Sequence, residues 1–306
     1  MNATGGTLTN SEISFSFGQN WKDFLDRSLD ADQIRFAMDR TKYLLRLDSL
    51  EGLTFLDIGC GSGLFSYVAH KLGAERIVSL DIDPKSVECA RYMKKQAGNP
   101  SNWEILHGSI LDQTFVRSLP VSDIVYSWGV LHHTGNMWQA IRNAASLVKP
   151  GGRFAIAIYN KVESDTLRQW RGSYRWLRIK RAYNRGGAVR KRLMELAFAS
   201  KDVAAMMVRL KNPVKEIREY KHKRGMSWWH DHIDWLGGYP YEFATTGELF
   251  NFCHDEFGMQ LERLYAARSI GCHELMFTLP AATNSMQARD SIQESSAGTS
   301  KPIAAA

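Results

Sequence analysis

The chain has 306 residues, 44% of them hydrophobic, which is enough for one sizeable core with material left for a lid, while no apolar run reaches the ~18 residues of a membrane span. The opening MNATGGTLTNSEIS lacks a basic region followed by an apolar core, so no signal peptide is expected; Cys60, Cys89, Cys253 and Cys272 are scattered without CxxC spacing, so neither a disulfide framework nor a zinc site is suggested and a reducing cytoplasm is the default expectation. The net charge of +7 is concentrated: residues 161–224 hold 19 Lys/Arg and 6 Asp/Glu, so any argument for an anionic partner concerns that segment.

In chain order, residues 1–50 form a cap: a polar start, the aromatic stretch FSFGQNW (Phe15 to Trp21), and an amphipathic helix in which Ile34, Ala37, Met38, Leu44, Leu45 and Leu47 recur at threes and fours. Residues 51–160 alternate strand and helix. LTFLDIG, RIVSLDID, NWEILHGS, SDIVYSWGV and RFAIAIYN read as five strands. LFSYVAHKLG, PKSVECARYMKKQAG and MWQAIRNAASLV read as helices, the first closed by Gly73 and the second opened by Pro84. Residues 161–244 break the alternation with basic, aromatic and helical sequence, an insertion after the fifth strand. Residues 245–280 resume with a helix (TGELFNFCHDEFG) and two strands expected to pair as an antiparallel edge hairpin. Residues 281–306 are Ala/Ser/Thr/Gln-rich and expected to stay disordered. The pattern predicts an α/β fold: a doubly wound, Rossmann-like, mostly parallel seven-stranded sheet with a helical, basic insertion after strand 5.

The most informative stretch is LDIGCGSG (Leu56 to Gly63), three glycines at alternate positions after a strand and an acid before them. Ligands of open α/β sheets bind beyond the carboxyl ends of the strands, and glycines permit a tight turn and close backbone approach there. A dinucleotide-binding loop would read G-x-G-x-x-G; this one reads G-x-G-x-G, and Asp57 would repel a pyrophosphate but suits a cationic ligand.

With these residues the chain resembles the class I S-adenosylmethionine-dependent methyltransferases, over roughly 50–160 and more weakly 245–280. The resemblance implies S-adenosyl-L-methionine as cofactor. It places Gly59, Cys60, Gly61 and Gly63 under the methionine portion, with Asp57 helping to hold the amino group. It puts Asp81, followed by Ile82, on the ribose hydroxyls, where one carboxylate can accept two O–H bonds. HGSILD resembles the motif that contacts adenine, through Ser109 and Ile110, although many relatives carry Asp where this chain has Ser109. SWGVLHHTGN resembles the loop where acceptor and methyl group meet, with Trp128 beside the cofactor.

Methyl transfer from a sulfonium needs alignment and exclusion of water, plus a base where the acceptor is a hydroxyl. One candidate base is His133, with the alternative that a histidine of this pair packs under the loop and only shapes it. The others, His230, Asp231 and His232, lie in MSWWHDHIDWLGGYPYEFAT, where Trp228, Trp229, Trp235, Tyr239 and Tyr241 supply apolar surface. This segment reads as a lid hairpin that closes over the acceptor or simply packs. A metal on His230, His232 and Asp234 is conceivable, but methyl transfer needs none and no metal is expected.

Within the insertion, Leu167, Trp170, Tyr174 and Leu177 form a stripe among Arg168, Arg171, Arg175, Arg178, Lys180 and Arg181. It reads as a lid helix with a solvated face, as a surface for an anionic membrane or a lipid-linked substrate, or, least favoured, as an RNA-binding face. The expected activity is methyl transfer to oxygen, in preference to nitrogen, of a small-molecule or glycan-like acceptor, in the cytoplasm, with a place at the membrane periphery as the alternative. The alternatives are RNA methylation through the basic insertion, and cofactor binding without turnover.

Overall fold

The computed structural model describes residues 31–162, 172–224 and 228–281. Phe15–Trp21, residues 163–171 with Leu167 and Trp170, and the tail beyond Ala281 lie outside the described residues. Helix α1 (Ala31–Leu45) precedes β1 (Thr54–Ile58). There follow α2 (Leu64–Lys71), β2 (Arg76–Asp81), α3 (Pro84–Gln96), β3 (Trp103–His107), α4 (Gln113–Ser118), β4 (Ser122–Trp128), α5 (Met137–Ala145) and β5 (Val148–Tyr159). Four helices come next: α6 (Ser173–Asn184), α7 (Ala188–Val208), α8 (Pro213–Arg224) and α9 (Trp228–Gly237). The described chain ends with α10 (Thr246–Phe257), β6 (Gln260–Tyr265) and β7 (Cys272–Thr278).

The seven strands form one sheet in the order β3-β2-β1-β4-β5-β7-β6. β1 to β5 are parallel, and β7 runs antiparallel between β5 and β6. The chain winds outward from β1 to β3, then returns to β4 on the other side of β1. The order therefore reverses between β1 and β4, where an open α/β sheet holds its ligand. Phe55, Leu56, Ile58, Val78, Leu80, Val125, Phe154 and Ile156 are all fully buried, because helices cover both faces. Each such side chain contributes about 1.5–3 kcal/mol of burial.

Local signals set the element ends. Asp83 caps α3 by accepting from the Lys85 N–H, with Pro84 at the first turn. Thr245 and Glu248 form a capping box on α10, and Gly258 closes that helix in the left-handed region.

Three expectations change. Helix α4 was not visible as a periodic pattern, because six residues are too few; it rests on Asp112, which accepts from the Thr114 and Phe115 N–H groups. The lid expected as a hairpin contains a helix, α9. The alternating His and Asp suggested a two-residue period, but Trp228, His232, Trp235 and Leu236 carry a helical one. Finally, the stripe through Tyr174 and Leu177 is not the inner face of α6. Tyr174 is exposed, while Ser173, Lys180 and Tyr183 are buried and Trp176 packs on Trp235 and Phe198.

Candidate active site

The glycine loop folds back on its own scaffold. The Gly59 and Cys60 N–H groups both donate to the Leu80 carbonyl, at 2.8 and 2.9 Å. Gly59, Gly61 and Gly63 all have positive φ, at 73°, 53° and 80°. A Cβ at Gly59 would stand 2.3 Å from a methyl carbon of Val130, and one at Gly63 would stand 2.8 Å from the Ala90 Cα. At these two positions the bare backbone is claimed first by protein: the loop after β4, and α3. The tight packing brings the first turn of α2 to the carboxyl edge of the sheet.

Asp81 ends β2 at this edge. Its Oδ2 accepts from the Gly61 N–H at 2.9 Å and its Oδ1 from the Asp83 N–H at 2.8 Å, which fixes the plane of the carboxylate. Asp57 is buried beneath the loop, and its Oδ2 accepts from the Ser66 hydroxyl at 2.5 Å. Ser66 meets Ser79 at 2.6 Å, and the Trp103 indole donates to Ser79 at 2.7 Å. The one Ser66 proton goes to Asp57, so the Ser79 hydroxyl donates to Ser66 and accepts from the indole, and the protons run from Trp103 through Ser79 and Ser66 to Asp57. Burial pushes Asp57 up from 3.8 to about 7; the Ser66 hydrogen bond opposes the shift and the charge of Asp81 adds to it. Burial also raises Asp81. Among the described residues neither carboxylate is offset by a cationic side chain. Two acids held without a counter-charge suit a ligand that brings positive charge.

The rest of the rim comes from the ends of the neighbouring strands. Ile82 is 67% exposed, an aliphatic side chain standing over the edge. The Gly108 N–H donates to the Asp81 carbonyl, and His107 Nε2 lies 3.0 Å from the Ile82 carbonyl, so the loops after β2 and β3 are tied together. Ser109 accepts from the Leu111 N–H, while Ile110 is buried in the core. Trp128, at the end of β4, is 42% exposed and packs on Phe65 of α2. The structure thus gathers Asp57, Gly59, Cys60, Gly61, Gly63, Asp81, Ile82, Ser109, Ile110 and Trp128 at one edge, where β1 to β4 end.

Next to it, a short 3-10 turn after β4 carries His132 and His133. His132 is the histidine packed under the loop: it is fully buried, its Nδ1 accepts from the Tyr159 N–H at 3.3 Å, and burial lowers its pKa strongly. His133 is half-buried, and its Nδ1 donates to the Pro240 carbonyl at 2.5 Å, which makes Nε2 the acceptor nitrogen of the ring. Burial lowers its pKa from 6.5 to about 3, against the upward pull of the Pro240 bond and with a further push from Lys180. The ring is therefore neutral at pH 7.

The lid closes over this pair. Tyr159 packs on His132 with the rings tilted and meets Trp235 and Tyr241. The Lys180 ammonium is wholly buried, 4.6 Å from the Trp235 ring centre and 5.0 Å from that of Tyr241, and donates to the Trp235 carbonyl. Lys180 is the residue that sequence reasoning missed. It stands in a run of arginines that reads as a solvated face, and only its i−4 and i+3 relation to Trp176 and Tyr183 hinted at an inward position. Glu242 locks the end of the lid onto α5: both carboxylate oxygens accept from the Met137 N–H, and its own N–H donates to the His132 carbonyl.

The other lid candidates turn elsewhere. His232 Nδ1 lies 2.7 Å from the Trp228 carbonyl and Nε2 3.0 Å from Asp202 of α7, so both ring nitrogens are engaged inside the lid. Asp231 accepts from the Tyr220 hydroxyl of α8. The side chains of His230 and Asp234 lie outside the described residues. Positions 230 and 232, two apart on a helix, stand about 200° apart around its axis, where a strand would put them on one face. Among the described residues no cluster of three His, Cys, Asp or Glu is placed to hold a metal.

A family model described as a methyltransferase domain matches residues 49–220, more than half of the chain. The chain belongs to the class I methyltransferases. Their S-adenosylmethionine fits the two buried acids that lack a counter-charge. A ribosomal protein methyltransferase of Tolumonas auensis is 34% identical over 113 residues, 36% of this chain and 36% of its own. A ubiquinone biosynthesis O-methyltransferase of a Methylobacterium species is 30% identical over 159 residues, 46% of this chain and 62% of its own. The chain thus spans less than two thirds of the length of these methyltransferases. A magnesium protoporphyrin IX methyltransferase of Synechocystis, crystallised with bound S-adenosylmethionine, superposes with a TM-score of 0.51 over 91% of this chain and 99% of its own. At 13% identity that likeness is one of fold.

Proposed function

We propose that the protein transfers a methyl group from S-adenosylmethionine to an oxygen of a small-molecule or glycan-like acceptor. The observation that carries this reading is the pairing of an uncompensated acidic edge, Asp57 and Asp81, with a neutral histidine and a buried ammonium beside it. The bound cofactor supplies an electrophilic methyl on a sulfonium, so the chain need only hold, align and exclude water.

Asp81 accepts from the ribose hydroxyls through the lone pairs left beside its two backbone bonds. Asp57 answers the positive charge of the methionine portion, and Ile82 and Trp128 cover apolar parts of the ligand. On the acceptor side, His133 Nε2 takes the hydroxyl proton, with its orientation held by Nδ1–H on Pro240. The Lys180 ammonium stabilises the oxygen as negative charge develops on it. Tyr159, Trp235 and Tyr241 exclude water. An oxygen acceptor uses both the base and the cation, whereas a neutral amine needs neither, and this supports oxygen over nitrogen. His232 and Asp231 enter as residues that order the lid, through Asp202 and Tyr220, and His230 is retained as a lid candidate on its place in α9.

The test is S-adenosylhomocysteine release over a panel of phenols, sugar alcohols and amines, alongside calorimetric binding of S-adenosylmethionine. Cofactor binding with turnover confined to hydroxyl acceptors supports the reading. Turnover of amines alone would reassign the acceptor atom, and binding without turnover on any acceptor would favour a binding protein. The RNA reading rests on the basic segment and predicts an RNA affinity that falls steeply with salt.

A further inference from the structure

Helix α7 is built inside out. It packs on α6, α8 and α9, and the residues facing them include its acids: Glu195, buried and bonded to the Tyr183 hydroxyl at 2.8 Å, and Asp202, on His232 at 3.0 Å. The opposite side is apolar. Val189, Leu193, Leu196, Met207 and Val208 are 76, 62, 46, 57 and 84% exposed, and Ala197, Ser200 and Ala204 fill the same stripe at helical spacing. Along 21 residues this face runs about 31 Å. The corner into α8 continues it: Leu210, in the left-handed region at φ 56°, is 96% exposed and Val214 is 67% exposed. Basic residues rim the apolar surface, with Arg190 and Lys201 along one edge, Arg192 on the other, and Arg209, Lys211 and Lys215 around the corner; all six are accessible or partly so.

We infer that this face is a docking surface for an anionic lipid bilayer. α7 would lie in the plane of the interface, the Val208–Leu210 corner would enter the acyl boundary, and the basic rim would sit among the headgroups. Charge complementarity selects this occupant. A second copy would bring two segments of strong positive charge face to face. RNA would gain from the rim, but aliphatic side chains neither stack on bases nor hydrogen-bond to them. An anionic bilayer satisfies both the apolar stripe and the rim. The inference goes beyond the methyl-transfer reading and does not depend on it.

Flotation of the full chain with vesicles of phosphatidylglycerol and phosphatidylcholine tests it. The expected result is retention on the anionic vesicles, loss on pure phosphatidylcholine, and release by high salt. Val208→Glu with Leu210→Glu should lower partition at least tenfold. Arg209→Gln with Lys211→Gln should lower it about 30-fold, two basic residues' worth. Both variants should keep the wild-type affinity for S-adenosylmethionine, which reports folding and separates this surface from the cofactor site. No retention on anionic vesicles at low salt overturns the inference. So does a dimer that Leu193→Asp dissociates without any vesicle affinity, and so does an RNA oligonucleotide that binds where vesicles do not.

Discussion

At Asp81 one carboxylate holds two backbone N–H groups, and the proposed function gives its remaining lone pairs to the cofactor. Asp81→Asn keeps an acceptor oxygen but loses the charge; S-adenosylmethionine affinity should drop about 10–100-fold by calorimetry, the range of charge-assisted hydrogen bonds. Asp57 predicts a pH effect of definite sign. Its pKa rises from 3.8 in the unfolded chain to about 7 in the folded one, so the folded state binds this proton more tightly. The group therefore favours folding most below pH 3.8, and that contribution declines as pH rises to about 7. In thermal melts of the protein without ligand, Asp57→Asn should flatten this decline while keeping an oxygen for Ser66. A cationic ligand favours the ionised acid, so S-adenosylmethionine should bind more tightly as pH rises from about 5 to 7.5, and the variant should lose that trend. His133→Ala should lower kcat with cofactor affinity unchanged, but by less than the roughly 10²- to 10⁴-fold of a base matched to the working pH, because burial holds the pKa of this ring at about 3. The positions of Asp57, Asp81 and His133 at strand ends and beside the glycine loop were legible in the sequence; their roles belong to the proposed function. Lys180 was not, because an inward lysine and a solvated one look alike in a run of arginines. Only the rings of Trp235 and Tyr241, about 55 to 61 positions onward, decide its direction.

Among the elements, the glycine loop shows how a motif can serve packing and ligand together. Gly59→Ala sets a Cβ against Val130 and strains a positive φ; the variant should melt several degrees lower, and Val130→Ala should restore part of the loss. A pure ligand role for Gly59 predicts no rescue by Val130→Ala. The lid helix α9 is held to α7 through His232 and Asp202 and to α8 through Asp231 and Tyr220. His232→Ala should therefore lower the melting temperature of the protein more than it lowers kcat; a large kcat loss at unchanged stability would return His232 to the acceptor site. The regular elements were legible because strands buried on both faces and helices with glycine ends carry their own periods. The lid was not, because its aromatic residues serve contacts with the sheet edge and with one another, and a short segment with His and Asp at every second position mimics a strand.

In the whole molecule, one reversal of strand order gathers the ends of β1 to β4 into one edge, and four helices follow β5 in the chain; the proposed function puts the cofactor on that edge and the acceptor under those helices. No helix among the described residues is long and apolar enough to cross a membrane. Lys180→Met tests the division of labour across the site: it should raise the acceptor KM or lower kcat while leaving S-adenosylmethionine affinity untouched, because Lys180 stands on the lid and not on the glycine edge. The sequence by itself determined the alternating core, the parallel order implied by its crossovers, the placing of the acids and glycines at the carboxyl edge of the sheet and the concentration of positive charge after β5. These are local in cause: each depends on a period, a cap or a turn within a few residues. Only the tertiary structure decided which histidine is buried under the loop, that Lys180 points inward, that His232 and Asp231 bind the lid together, and that α7 turns its acids in and its aliphatic side chains out. Those outcomes depend on which helix faces lie against each other, and that is set by packing among segments distant in the chain.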